Sequence, residues 1–266
     1  MKARQPGPSV RIKVHEDGRQ REDRVITEEP LEIRLQWPGA PARRVWVTMR
    51  TPGHDFELAA GWVVHEGVAS TVHGVAYCTD TTLAPEQEFN VVTVTLDAPP
   101  ASLPHQHEAL SAGSSACGVC GSDSVSSALS TVGPRWEGPL PDVEVVRRLP
   151  DALRARQVLF DRTGGVHAAG LATSDGEVLV VREDVGRHNA VDKVTGARLL
   201  AGVSAAEAYL VVSGRVGFEL VQKAVAAGIG SMVSVGAPTS LAVDLATRAG
   251  LGLYGFTSAR RTVQYV

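Results

Sequence analysis

Residues 177–200 read EVLVVREDVGRHNAVDKVTGARLL, a short apolar run, a glycine-bearing turn and then a helical stretch. The same unit recurs downstream. AYLVVSG, GSMVSVG and GLGLYGF read as three further buried strands, and GFELVQKAVAAG and PTSLAVDLATRAG as the helical stretches between them. Strand and helix in alternation predict βαβ units and a largely parallel sheet covered on both faces. In such a sheet, sites gather where strands end and helices begin. That rule puts Asp184, Gly186, Arg187 and His188, then Ser213, Gly214 and Arg215, then Ala237, Pro238 and Thr239 on one rim.

Working outward toward the N-terminus, the patterning is weaker. Residues 1–24 are polar, with Pro6, Gly7 and Pro8, and are expected to be a poorly ordered lead-in. Leu31, Ile33, Leu35 and Trp37 alternate with polar residues, as do Val45, Val47 and Met49 after the stretch PGAPARR, so two strands joined by a loop are predicted. Phe56, Ala59, Ala60, Val63 and Val64 recur at helical spacing up to Gly67, and TVHGVAYC and FNVVTVTL read as two more strands. The resulting division is an N-terminal mixed α/β domain over 25–97, a linker and mobile loop over 98–141, and an α/β domain over 142–266. Within the linker, SDSVSSALS reads as a short helix capped by Ser122.

The linker carries GSSACGVCG, with Cys117 and Cys120 three apart. A structural zinc site would need two more ligands. The chain has no second Cys-x-x-Cys and no His pair at finger spacing, which leaves Cys78, His105 and His107 as the candidates. No histidine has Glu two residues on, so the zinc-deaminase pattern is missing as well. A dithiol redox pair would be expected on a strand-to-helix turn of a thioredoxin-like fold, and here it follows a Ser/Gly loop. The third reading is a sulfur-carrying thiol on a moving arm, where mobility lets one sulfur reach two partners. For Cys78, at a strand end, an incidental role is preferred.

Backbone N–H groups at the turn before residue 187, with Arg187 and His188, suit phosphate or another anion. Ser213-Gly214-Arg215 repeats that arrangement one unit later, and Gly164-Gly165-Val166-His167 offers a third loop. There is no Walker motif, no G-x-G-x-x-G after a strand and no G-x-S-x-G, so ATPase, dinucleotide oxidoreductase and serine hydrolase chemistry have no support. The chain has 266 residues, 44% hydrophobic and 21% charged, with a net charge of −3. No global positive field exists to hold nucleic acid or an anionic membrane. No apolar run approaches a bilayer span, the first residues show no secretory pattern, and three cysteines suggest reduced thiols, so a cytoplasmic protein is expected.

Taken in order, ACGVCG, GGVHAAGL, REDVGRHNAVDKVTG, SGRVGFELVQKA, GAPTSLAVDLA and GLGLYGF resemble the formate dehydrogenase accessory sulfurtransferase family, FdhD. The resemblance implies a smaller mixed α/β N-terminal domain and a βαβ-rich, three-layer C-terminal domain similar to the cytidine deaminase fold. It implies a sulfurtransferase that accepts persulfide sulfur from a cysteine desulfurase on Cys117, with Cys120 as motif partner. The recipient is the molybdenum bis-molybdopterin guanine dinucleotide cofactor of formate dehydrogenase, carried as cargo, with no structural metal. A homodimer is implied too. Cofactor contacts fall on Phe256, Thr257, Ser258, Ala259, Arg260 and Arg261, joined on the rim by Gly186, Arg187, His188, Ser213, Gly214 and Arg215. The family's arginine two residues after the phenylalanine is Ser258 here, which leaves Arg260 and Arg261 as the arginines of that block. A disulfide oxidoreductase and a zinc-stabilised nucleotide-binding module are the competing classes.

Overall fold

An Asp-Gly turn organises the start of the chain. The computed structural model describes residues 5–79, 83–84, 87–100, 103, 135–139 and 141–266. In place of the lead-in expected over 1–24, β1 (Ser9–Glu16) and β2 (Arg19–Ile26) pair antiparallel from Ser9 opposite Ile26 to Glu16 opposite Arg19. Asp17 and Gly18 turn the chain with φ of 50° and 79°, the positive pair that a two-residue hairpin requires. Val10, Ile12 and Val14 alternate ahead of that turn, a signal outweighed by the surrounding charge.

The N-terminal sheet has the order β4-β3-β6-β5, built from β3 (Glu29–Trp37), β4 (Ala40–Arg50), β5 (Gly74–Tyr77) and β6 (Val91–Thr95). β3 runs antiparallel to β4 and parallel to β6. The loop expected over PGAPARR shrinks to Pro38 and Gly39, the latter at φ 81°. Pro41 sits within β4, which it can do because β4 is the sheet edge and its missing N–H need not pair. Leu31, Ile33 and Leu35 point together into a core with Leu58, Ala59, Trp62 and Val63 of α1 (Asp55–His65). α1 ends where Gly67 takes a left-handed φ of 65°.

The C-terminal sheet has the order β12-β11-β10-β9-β7-β8. Its strands are β7 (His167–Ala172), β8 (Val178–Asp184), β9 (Tyr209–Val212), β10 (Ser231–Ser234), β11 (Gly252–Ser258) and β12 (Arg261–Gln264). β9, β10 and β11 are parallel neighbours. The expected largely parallel sheet is corrected by two strands that the apolar pattern did not reveal: β7 pairs antiparallel with both β8 and β9, and β12 antiparallel with β11. The β8-to-β9 crossover therefore passes over β7.

The crossovers are α4 (Arg187–Leu200), α5 (Phe218–Ala226) and α6 (Ser240–Ala249). They step in one direction across the sheet and so lie on one face. Val191, Val194, Leu220, Val221 and Leu245 bury there against Leu171, Leu210, Met232 and Leu253. The other face is covered by α2 (Val143–Arg154), whose Val146, Leu149 and Leu153 pack on Tyr209, Val211, Val233 and Tyr254. Asp142 caps α2 by accepting the Glu144 N–H at 2.8 Å. A one-and-a-half-turn helix, α3 (Val158–Thr163), then leads to β7. The result is a mixed α/β protein with a three-layer C-terminal part. Among the described residues, no helix is long and apolar enough to cross a membrane.

Candidate functional site

The polar residues of REDVGRHNAVDK divide between two tasks. Most of them fasten β8 and α4 to α1 and to residues 49–51. Arg182 forks onto Glu57 of α1, with Nε to Oε2 at 2.5 Å and Nη2 to Oε1 at 2.7 Å. Asp184, fully buried, accepts the backbone N–H of Thr51 at 3.1 Å and ion-pairs with Lys193 at 2.7 Å, and Lys193 donates to the Thr51 carbonyl at 2.9 Å. Asn189 donates to the Met49 carbonyl at 2.7 Å. Asp192 lies between His65 Nδ1 at 2.6 Å and Lys223 Nζ at 2.7 Å. Two glycines allow the helices to approach: a Cβ on Gly61 would sit 1.9 Å from the Asp192 carbonyl oxygen, and one on Gly196 would sit 1.8 Å from that of Glu57.

These contacts fix charge states. Burial opposes ionisation of Glu57, but hydrogen bonds from Arg182 and His54 outweigh it and bring the carboxyl down to about 2. Burial pushes the His65 imidazole toward its neutral form, with Asp192 pulling the other way. Burial also disfavours charge on Asp192, yet Lys223 and His65 hold its carboxyl below the usual carboxylate range.

Of the other residues of the stretch, Glu183 accepts the N–H groups of Leu159 at 2.7 Å and Phe160 at 2.8 Å at the start of α3, and Arg187 and His188 open α4. A cleft of about 790 Å³ opens at the carboxyl end of the parallel strands, lined in part by His167, Ser213, Val235, Phe256, Thr257 and Arg261. Because β7 runs against its neighbours, its first residue, His167, lies at the same end as the last residues of β8 and β9. Ser213 is held to β7 by accepting the Ala168 N–H at 2.8 Å. Gly214 brings its backbone against the His167 ring, since a Cβ there would meet Nδ1 at 3.2 Å. The Phe256 N–H donates to the Gly236 carbonyl at 3.0 Å, which joins the β11 end to the loop after β10.

Phe256 occupies the left-handed region at φ 49° and is 42% exposed. A side chain held there at a conformational cost is positioned by its surroundings. The Arg261 guanidinium lies over its ring, 5.3 Å from the centroid. Ser258 pairs with Arg261 at the base of a turn formed by Ala259 and Arg260. Of the two arginines in this block, Arg261 is the one that lines the cleft.

At the start of α4, Gly186 donates its N–H to Asp184 at 2.8 Å, so that group is engaged within the chain. His188 Nε2 lies 2.7 Å from Glu219. Arg187 is different: its Nε is buried without a hydrogen-bond partner among the described residues. Burial lowers the His167 pKa below its ordinary 6.5, and the nearby positive charge of Arg187 and His188 lowers it further, against Asp184. The rim is thus locally cationic in a chain of net negative charge, a setting suited to an anion. Arg215 is exposed in the adjoining loop.

Cys117, Cys120, His105, His107 and the predicted Ser122 helix lie outside the described residues. Cys78 follows β5, and its sulfur accepts from Arg34 Nη1 at 3.6 Å. Among the described residues no group of three or more His, Cys, Asp or Glu side chains is arranged to hold a metal ion. Sequence reasoning missed Gln157, which lines the cleft and is buried. Only its place ahead of α3 marks it, and no motif contains it.

The chain is 46% identical over 254 residues to the sulfur carrier protein FdhD of Corynebacterium efficiens, covering 92% of this chain and 90% of that one. It is 48% identical over 246 residues to the sulfur carrier protein FdhD of Streptomyces avermitilis, covering 89% and 84%. A crystal structure described as that of a formate dehydrogenase accessory protein from Desulfotalea psychrophila superposes with a TM-score of 0.69 at 25% identity, covering 97% of this chain and 95% of that one. The FdhD/NarQ family matches residues 26–266. With nearly the whole folded chain matched, the protein belongs to the FdhD/NarQ family.

Proposed function

We propose that this protein is a cytoplasmic sulfur carrier that serves formate dehydrogenase by sulfurating its molybdenum bis-molybdopterin guanine dinucleotide cofactor. The observation that carries the reading is the 46–48% identity, over nearly the whole chain, to relatives named as sulfur carriers. The cationic rim adds chemical sense, because a guanine dinucleotide cofactor is a long anion and Arg187 Nε has no partner of its own.

In this reading the Cys117 thiolate attacks the outer sulfur of a cysteine desulfurase persulfide. A Cys117–S–SH forms and the donor leaves as a thiolate. Attack by the Cys120 thiolate on the inner sulfur then forms a Cys117–Cys120 disulfide and expels hydrosulfide, which takes the electron pair of the broken S–S bond and becomes the sulfur ligand of the cargo metal. The cargo phosphates rest against Arg187 and Arg261, and Phe256 presents a ring face to a heterocycle. A homodimer would offer one such rim to each nucleotide arm of the cargo.

The test is intact mass after incubation with a cysteine desulfurase and cysteine. A gain of about 32 Da that thiol reductant removes and that Cys117→Ala abolishes is the expected result. A stable intramolecular disulfide with no mass gain in wild type, together with repeated turnover of a model disulfide, would replace this reading with a dithiol oxidoreductase.

A further inference from the structure

α3 buries none of its six residues, so neither core accounts for its presence. A helix this short is not stable by itself. What holds it is polar: Glu183 grips the N–H groups of Leu159 and Phe160 from β8, and Gly164 ends the helix at a left-handed φ of 65°. Asp161 on the same helix ion-pairs with Arg154 of α2 at 2.6 Å. The Arg154 guanidinium in turn lies over the Phe160 ring, 4.8 Å from its centroid. Arg154 and Phe160 both line the cleft.

The strand ends supply the same pairing, with Arg261 over Phe256. One cleft therefore has two guanidinium–phenyl stacks in its lining, one from α2 and α3 and one from β11 and β12. Exposed contacts of this kind add little to stability, and Phe256 is kept in place against its backbone preference. Their use lies in the faces they offer. Guanidinium planes and phenyl rings both stack on flat heterocycles, and such stacking tolerates many rings because each has a π-face. Leu153, Val166 and Val235 add apolar wall, and the volume of about 790 Å³ is that of a small-molecule site.

We propose that the Arg154–Phe160 stack and the Arg261–Phe256 stack are two walls of one slot that holds a planar heterocycle, which makes Phe160 and Arg154 binding residues. The proposal rests on the cofactor-cargo reading above and names the residues that grip its ring. Guanine and pterin, the two ring systems of that cargo, are both flat, and the test separates them.

Binding is measured by calorimetry with the full chain, using three probes: GDP, pterin-6-carboxylate and inorganic pyrophosphate. Stacking is read by proton NMR, since a ligand held against aromatic faces has its ring protons shifted upfield. In Phe160→Leu, which keeps apolar bulk and removes the ring, affinity for the heterocycle in the slot is expected to fall about tenfold or more, with a smaller upfield shift and pyrophosphate unchanged. Phe160→Tyr restores the face and should keep affinity within about twofold of wild type. Arg154→Lys, which keeps the charge and loses the plane, should weaken the same probe. Loss with GDP alone puts guanine in the slot, loss with the pterin alone puts pterin there, and loss with both means that either ring enters. Equal binding of both rings by wild type and a folded Phe160→Leu, a loss that Phe160→Tyr does not restore, or binding of pyrophosphate and neither ring overturns the proposal and leaves the cargo reading standing. If wild type binds none of the three probes, the cargo reading fails and the proposal goes with it.

Discussion

His65 on α1 and Asp192 on α4 face each other where the two helices cross, Nδ1 to Oδ1 at 2.6 Å, with both side chains almost wholly excluded from solvent. Lys223 reaches the same carboxylate oxygen from α5 at 2.7 Å. Removing the shared anion should therefore cost more than removing either partner. Asp192→Asn is expected to lose ~3–5 kcal/mol, since it takes from the buried Lys223 ammonium the carboxylate it bonds and leaves it the more distant charges of Glu66 and Glu219. His65→Asn should lose less. Urea unfolding of the two variants side by side measures the difference.

The same cluster sets an acid limb. The folded pKa of His65 lies below its ordinary 6.5, so the unfolded chain takes up protons before the folded one does, and stability falls as pH drops through 6.5. Glu57 contributes in the same sense, further down the pH scale. Its folded value of about 2 lies below the ordinary 4.5, so its stabilisation is fully present above 4.5 and is lost as pH falls toward 2. Glu57→Gln should flatten the stability profile between those two values while leaving the decline near 6.5 in place. A pH series of thermal melts reads both limbs.

The close crossing of α1 and α4 predicts a sharp contrast among glycines. Gly61→Ala and Gly196→Ala each drive a methyl group into backbone of the opposite helix and should cost at least the ~1–3 kcal/mol of ordinary overpacking. Gly202→Ala meets no atom within 4 Å and pays only for its left-handed φ of 70°, ~1–2 kcal/mol. Denaturant midpoints for the three variants test the order.

At the rim, Arg187→Ala should have two effects with one cause. Pyrophosphate affinity is expected to fall about tenfold or more with loss of the guanidinium. In the free protein the His167 pKa should climb back toward 6.5, because one of the positive charges that depress it is gone. Imidazole proton NMR titration and calorimetry on the same variant check both. A lost affinity with an unmoved His167 would place Arg187 away from that ring.

How much of this was legible in the sequence depends on which residues carried the signal. The runs that became β8 to β11, and the helices between them, are apolar enough to be read locally, β9 and β10 being buried along their whole length between the cores on the two faces of the sheet. β7 was not legible: HAAGLA is short and small, and only its pairing with β8 and β9 makes it a strand. The hairpin of β1 and β2 was hidden by charge, although its Asp17-Gly18 turn was in plain view. In the site, Phe256, Ser213 and Arg261 were named beforehand and do line the cleft. REDVGRHNAVDK was read as an anion loop, yet Asp184, Asn189 and Lys193 bond to residues 49–51. No local pattern announces partners some 140 positions away. Gln157 escaped for the opposite reason, since what marks it is the absence of a bond that its position ordinarily makes.

α4 presents Arg187 and His188 at one end and is locked along its flank to α1 through Gly61, Gly196 and the His65–Asp192 pair. Its placement is consequently a population as well as a geometry. If a fraction of molecules has the junction sprung, only the remainder holds a competent rim, and the measured dissociation constant is the intrinsic one divided by that fraction. A junction variant far from the cleft would then resemble a binding variant at low ligand and recover full occupancy at saturation, whereas loss of a group that touches the ligand would lower intrinsic affinity in every molecule.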